Sequence, residues 1–95
     1  MLATRQPQLD LDELVYLRPR ERQLLKIVMR APGPIQMSTL AYCMYGYADR
    51  DELHALRMVV YRLRHRFEEH HAPWRLHLEQ HSQFEPGSLR LERAP

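Results

Sequence analysis

Arginine is concentrated in one stretch of this chain, and its chemistry suits the binding of phosphates and base edges. Residues 53–67 contain no Asp or Glu and four arginines: Arg57, Arg62, Arg64 and Arg66. The planar guanidinium can donate two parallel hydrogen bonds to a phosphate or to the O6/N7 edge of guanine. Acidic residues lie only beyond the two ends, at residues 49–52 and 68–69. On composition alone an ordinary solvated helix face is the more common interpretation, and a nucleic-acid partner is the alternative that the order of the elements then favours.

The histidines are candidates for metal binding or catalysis, but their spacing supports neither. There are six of them: His54, His65, His70, His71, His77 and His81. None forms the paired His/Cys spacing of a zinc site, and Cys43 is the only cysteine. No nucleophile can be placed beside a base. We therefore expect no metal, no cofactor and no enzymatic activity.

The composition indicates one small domain. The chain has 95 residues, of which 44% are hydrophobic and 27% are charged, and its formal net charge is +2. A single cysteine excludes an internal disulfide, and small secreted domains usually carry several. No apolar stretch approaches the roughly 20 residues that cross a membrane, and no targeting segment is visible. We expect a cytoplasmic protein with no membrane partner, a flexible N-terminus at residues 1–8 and one domain over residues 9–95.

The first part of the domain shows strand and then helix signals. Leu alternates with Asp over residues 9–12, and residues 14–17 are β-prone, which together predict a short hairpin turning near Asp12. Pro19 suits the first turn of a helix, because its missing N–H has no partner there. The apolar spacing that follows predicts a first helix over residues 19–30.

The next segment is apolar on almost every side, which predicts a short buried helix over residues 37–45. We expect Tyr42, Cys43 and Tyr45 to lie in the core around this helix. Gly46 is the expected C-terminal stop.

A long third helix is predicted over residues 51–70. Asp49 and Glu52 have the spacing of a capping box at its start. Its apolar residues are spaced to form one stripe: Leu53, Leu56, Val60, Leu63 and Phe67. The opposite face carries His54, Met58, Arg62 and His65, with Arg57, Tyr61 and Arg66 on its flanks and Arg64 near the boundary.

Alternating residues 74–78 and 88–91 predict a C-terminal hairpin, or wing, over residues 74–91 with a long loop. Three helices, the last one long and basic, followed by a hairpin predict an α+β winged helix-turn-helix. In that fold the third helix enters the major groove of DNA.

Four short segments resemble those of a known family. They are LRPRERQLL at 17–25, PGPI at 32–35, YGY at 45–47 and VYRLRHRF at 60–67. The family has L-T-P-x-E-x-x-L-L, P-G-x-V, W-G-Y and I-x-R-L-R-x-K-L at these places. Over residues 9–91 the chain thus resembles the OmpR/PhoB-type winged-helix effector domain of bacterial response regulators, as a divergent, stand-alone member without a receiver domain.

The resemblance implies that Arg62 and Arg64 contact double-stranded DNA, with Met58 and Tyr61 facing base edges. Together with the basic face of the third helix, it gives the expected DNA-binding residues as Arg62, Arg64, Met58, Tyr61, Arg57, Arg66, His54 and His65. The implied function is sequence-specific regulation of transcription in a bacterium or a phage.

Two departures from the family leave a second hypothesis open. Arg18 stands where the family has Thr, and residues 78–87 of the wing carry two acids and no Lys or Arg. Such a wing would grip phosphate weakly, so we expect either a homodimer on repeated half-sites or a protein that anchors the chain on DNA. The second hypothesis is a winged-helix adaptor or inhibitor that binds RNA polymerase or another regulator. Exposed Tyr47, Met58 and Phe84 would favour it.

Overall fold

The fold is α+β, with three helices and one three-stranded antiparallel sheet. The computed structural model describes residues 10–82 and 84–94, apart from the side chain of Asp12. The elements in chain order are α1 Pro19–Arg30, β1 Ile35–Gln36, α2 Met37–Tyr45, α3 Arg50–Glu69, β2 Trp74–Glu79 and β3 Ser88–Arg93. The predicted class and the three predicted helices are confirmed. The arrangement is compatible with a winged helix.

The helix boundaries follow local signals. Pro19 is the first residue of α1, and Gly46 ends α2 with φ 82°, in the left-handed region that glycine adopts without strain. At the start of α3 the backbone N–H of Asp49 donates to Glu52 Oε1 at 3.1 Å, as the predicted capping pair requires. Because these signals depend only on neighbouring residues, the helix ends predicted from the sequence lie within one residue of the ends in the structure.

The core lies between the helices and one face of the sheet. On α3 the predicted stripe is buried at Leu56, Val60, Leu63 and Phe67, while Leu53 is half-buried. The sheet contributes Leu76, Leu89 and Leu91. The hairpin is in register at Leu76↔Leu91 and Leu78↔Leu89, so leucines of both strands face the helices together.

The prediction of an N-terminal hairpin is wrong over the described residues. Its first residue, Leu9, and the segment predicted to be flexible, residues 1–8, lie outside the described residues. Leu11–Glu13 forms a 3₁₀ turn, and no strand follows it before α1. The backbone hydrogen bonds are local: the N–H of Leu14 donates to the carbonyl of Leu11 at 3.1 Å. The third strand is instead Ile35–Gln36, which pairs with β3.

The environment predicted for α2 is wrong in part. Met37, Leu40, Ala41 and Met44 are buried, but Tyr42 is 65% exposed and Cys43 is exposed. Tyr45 is half-buried against the core, as predicted. A helix of nine residues at the surface of so small a domain has only one covered face, although its sequence is apolar on most sides.

Arg22 fastens the N-terminal segment to α1. Its two terminal nitrogens donate to the carbonyls of Leu11 and Leu14, both at 2.8 Å. We expect Arg22→Ala to lower the free energy of unfolding by about 2 kcal/mol, because both bonds carry a charged donor. Urea unfolding measures the loss, and Lys26→Ala, an exposed change on the same helix, should leave stability nearly unchanged. Equal stability of the two variants would show that the two hydrogen bonds of Arg22 do not stabilise the fold.

Candidate nucleic-acid interface

The solvent face of α3 carries most of the predicted site. Tyr61 is 67% exposed and Met58 is 37% exposed. The other exposed members of this face are His54, Arg57, Arg62 and His65. The helical periodicity therefore predicted correctly which side of α3 meets solvent.

Arg57 and Arg62 are uncompensated cations. Within the part of the chain that the structure describes, neither guanidinium has a hydrogen bond or ion pair to the protein. Arg62 also borders a shallow depression between α3 and the start of α1, where Arg18 and Arg20 lie. Arg57 and Arg62 are therefore available to an anionic partner without first breaking a contact to the described residues.

Arg64 is exposed but anchored to the hairpin. Its Nε donates to the carbonyl oxygen of Leu76 on β2 at 3.1 Å. This bond fixes the guanidinium where α3 meets the hairpin, the boundary position that the helical spacing predicts. The terminal nitrogens of Arg64 have no partner among the described residues and point to a role at the edge of the interface.

Arg66 pairs with a buried carboxylate. Its Nε lies 2.7 Å from Glu21 Oε1, without the alignment of a hydrogen bond, and the two side chains are 24% and 3% exposed. Glu21 Oε1 also accepts the backbone N–H of Arg18 at 3.1 Å. The structure thus gives Arg66 a partner inside the protein, in contrast to Arg57 and Arg62.

The sequence holds a signal for this pair in the position of Glu21 on α1. Glu21 lies on the same face of α1 as Leu24, Leu25 and Val28, at spacings of three, four and seven residues. An acid on a buried stripe needs a cation, since an unpaired buried carboxylate is costly. That requirement predicts a basic partner for Glu21, although not which one.

His65 has only a weak contact. Its Nε2 lies 3.9 Å from Glu69 Oε2, and both side chains are more than half exposed. A surface pair of this kind contributes little to stability. His65 therefore remains free to face a partner.

Two arginines of the hairpin strands, Arg75 and Arg90, pair with the same carboxylate, that of Glu92. Arg75 Nη2 lies 3.0 Å from Glu92 Oε1, and Arg90 Nε lies 3.4 Å from Glu92 Oε2. The hydrogen bond from Arg75 lowers the pKa of Glu92, desolvation opposes this effect, and the contact with Arg90 adds to the lowering. The loop carries Phe84, which is 89% exposed. The hairpin thus has an exposed aromatic residue in its loop and two arginines that are paired with Glu92. On α3, by contrast, Arg57 and Arg62 have no partner among the described residues.

The described residues hold no group of His, Cys, Asp or Glu that could bind a metal ion. Over the same residues, no helix has the length and apolar character needed to cross a bilayer. Comparison with family models, curated proteins and solved structures found no match to this chain.

Proposed function

We propose that this protein is a cytoplasmic winged helix-turn-helix regulator of transcription that binds double-stranded DNA through α3. The observation that carries the proposal is the solvent face of α3, where Arg57 and Arg62 stand unpaired beside Met58 and Tyr61. An arginine can bind guanine or phosphate, and an exposed apolar side chain can contact a thymine methyl group. Neither a cofactor nor a catalytic step is part of the proposal.

The order of the elements supports the same function. Two helices precede α3, β1 joins the sheet beside β3, and the β2–β3 hairpin follows α3 directly. In a winged helix this order puts the third helix in the major groove with the hairpin next to the DNA backbone. Because the loop of this hairpin has no Lys or Arg, we propose that a homodimer or a bound protein supplies the remaining affinity.

Arg62→Ala tests this function most simply. The loss of one base or phosphate contact should weaken binding to a selected duplex by about 1–3 kcal/mol, roughly 5- to 150-fold. Fluorescence anisotropy of the labelled duplex measures the affinity. Arg30→Ala is the matched control, since Arg30 is an exposed arginine on α1. The site is assigned wrongly if Arg62→Ala binds as tightly as the control while circular dichroism shows the same fold.

A second candidate function is an adaptor that binds RNA polymerase or another regulator. The observation that favours it is a set of exposed aromatic side chains outside α3, since Tyr42 is 65%, Tyr47 is 68% and Phe84 is 89% exposed. Exposed aromatic residues are enriched at protein interfaces. A variant with Tyr42→Ala and Tyr47→Ala would then lose the partner and keep its affinity for DNA.

A further inference from the structure

Three depressions lie along the side of α3 that faces the β2–β3 hairpin. Their lining shares Arg57 and Tyr61 with the solvent face of α3 and adds residues of the hairpin. Their volumes are about 410, 410 and 730 Å³. Arg57 lines both the first and the second, and Arg64 lines both the second and the third. Because neighbouring depressions share an arginine, the three adjoin one another in a row, and together they are here called the α3–hairpin groove.

Arginines recur along this groove at a fixed interval. Arg50, Arg57 and Arg64 are seven residues apart on α3, so they lie on nearly the same side of the helix with a rise of roughly 10 Å between them. Among the described residues, Arg50 and Arg57 have no internal partner, and Arg64 uses only its Nε, toward Leu76. A row of cations at this spacing can follow a chain of phosphates.

Each depression also contains an aromatic side chain next to an arginine. Phe84 lines the first, Tyr61 the second and Trp74 the third. Phe84 and Tyr61 are 89% and 67% exposed, while Trp74 is half-buried and holds Arg93 over one face of its ring, 5.2 Å from the centroid. The groove therefore alternates positive charge with aromatic surface along its length.

Acidic side chains are confined to the two ends of the groove. Glu85 lines the first depression and Glu68 the third, whereas the middle one has Arg57 and Arg64 and no carboxylate. The charge is complementary to an anionic chain that passes through the centre. Paired bases in a duplex are hidden in the stack, so aromatic side chains in a groove can stack only on the bases of an unpaired strand.

We infer that the α3–hairpin groove is a binding site for single-stranded nucleic acid. Its phosphates would lie along Arg50, Arg57 and Arg64, and its bases would stack on Phe84, Tyr61 and Trp74. This function goes beyond the proposed binding of duplex DNA, because it uses the hairpin side of α3 and two residues, Arg50 and Phe84, that have no part in the duplex site.

Trp74 supplies the readout, since it is the only tryptophan in the chain. The experiment titrates the protein with oligo(dU) and oligo(U) of about 12 nucleotides, which differ only in the sugar, and follows the fluorescence of Trp74. We expect saturable quenching that weakens as salt is raised. Binding of one oligonucleotide but not the other supports the site and identifies the sugar that it accepts.

Phe84→Ala and Arg50→Ala make the test specific. Both side chains are exposed, so the fold should persist, and each change should weaken single-strand binding by about 10-fold. Arg30→Ala, on α1, is the matched control and should bind like the unchanged protein. Affinity for duplex DNA, assigned above to Arg62, is measured separately, so the failure of one assignment is distinguishable from the failure of the other.

Three results would overturn the inference. One is the absence of quenching at about 50 mM salt. Another is equal binding of an abasic strand of the same length, which would make the groove a general polyanion site. The third is equal quenching by the duplex, which would make the groove part of the duplex interface.

Discussion

Glu21→Ala should lower the free energy of unfolding by about 3 kcal/mol, because it removes one partner of a buried ion pair. The Glu21 side chain is 3% exposed and lies 2.7 Å from Arg66 Nε. The change leaves the guanidinium of Arg66 without its carboxylate and the N–H of Arg18 without its acceptor. For a domain of this size the loss corresponds to a fall in Tm of roughly 15 °C. Thermal unfolding followed by circular dichroism measures it.

A double variant tests whether the loss of stability comes from the charge that Glu21→Ala leaves unpaired. Glu21→Leu combined with Arg66→Met removes both charges and keeps apolar volume at the site, and such replacements are often neutral or stabilising. We expect the double variant to be about 2 kcal/mol more stable than Glu21→Ala. The part of the loss that it does not recover is the contribution of the Glu21 carboxylate as a hydrogen-bond acceptor at the start of α1. A loss below about 1 kcal/mol for Glu21→Ala alone would show that the pair does not hold α1 to α3.

Gly87→Ala should cost about 3 kcal/mol, since the position combines a left-handed backbone with a close approach. Gly87 has φ 92°, and an added Cβ would lie 2.6 Å from the carbonyl oxygen of Glu79. That oxygen belongs to a strand fixed by the pairing of Glu79 with Ser88. The carbonyl of Gly87 also accepts the N–H of Met37 at 2.9 Å, so a shift would disturb the start of α2.

The other two glycines are graded controls. Gly46 has φ 82° but open space around it, so Gly46→Ala should cost about 1 kcal/mol, from the backbone conformation alone. Gly33 has neither a positive φ nor a neighbour within 4 Å, so Gly33→Ala should be close to neutral. Urea unfolding of the three variants should give this order, and a Gly87→Ala variant as stable as Gly46→Ala would contradict the close approach.

The helices could be predicted from the sequence because their signals are local. Pro19 and Gly46 mark a start and an end on their own, and the stripe of α3 repeats over about four turns. Strand β1 has no such signal, since its two residues form a strand only by pairing with β3, more than 50 positions away. The alternation of residues 9–12 predicts a strand, whereas Leu11–Glu13 forms a turn, because three residues close a local turn more readily than they find a strand partner.

The candidate site could be predicted only in part. Periodicity was enough to place Met58, Tyr61 and Arg62 on the solvent face of α3, since exposure there depends on the helix alone. The partners of Arg64 and Arg66 lie 12 and 45 residues away, on β2 and α1. Which arginines are free and which are held inside the protein is therefore a property of the packed helices and sheet.

The salt dependence of duplex binding tests the central claim most directly. Fluorescence anisotropy of a labelled random-sequence duplex of about 30 base pairs is followed at about 50, 100 and 200 mM salt. If Arg57, Arg62 and Arg64 of α3 neutralise phosphates, log K should fall with log salt with a slope of about −3, at roughly −0.9 for each phosphate. The absence of binding at about 50 mM salt, or an affinity that does not change with salt, would contradict the assignment of α3 as a DNA-binding helix.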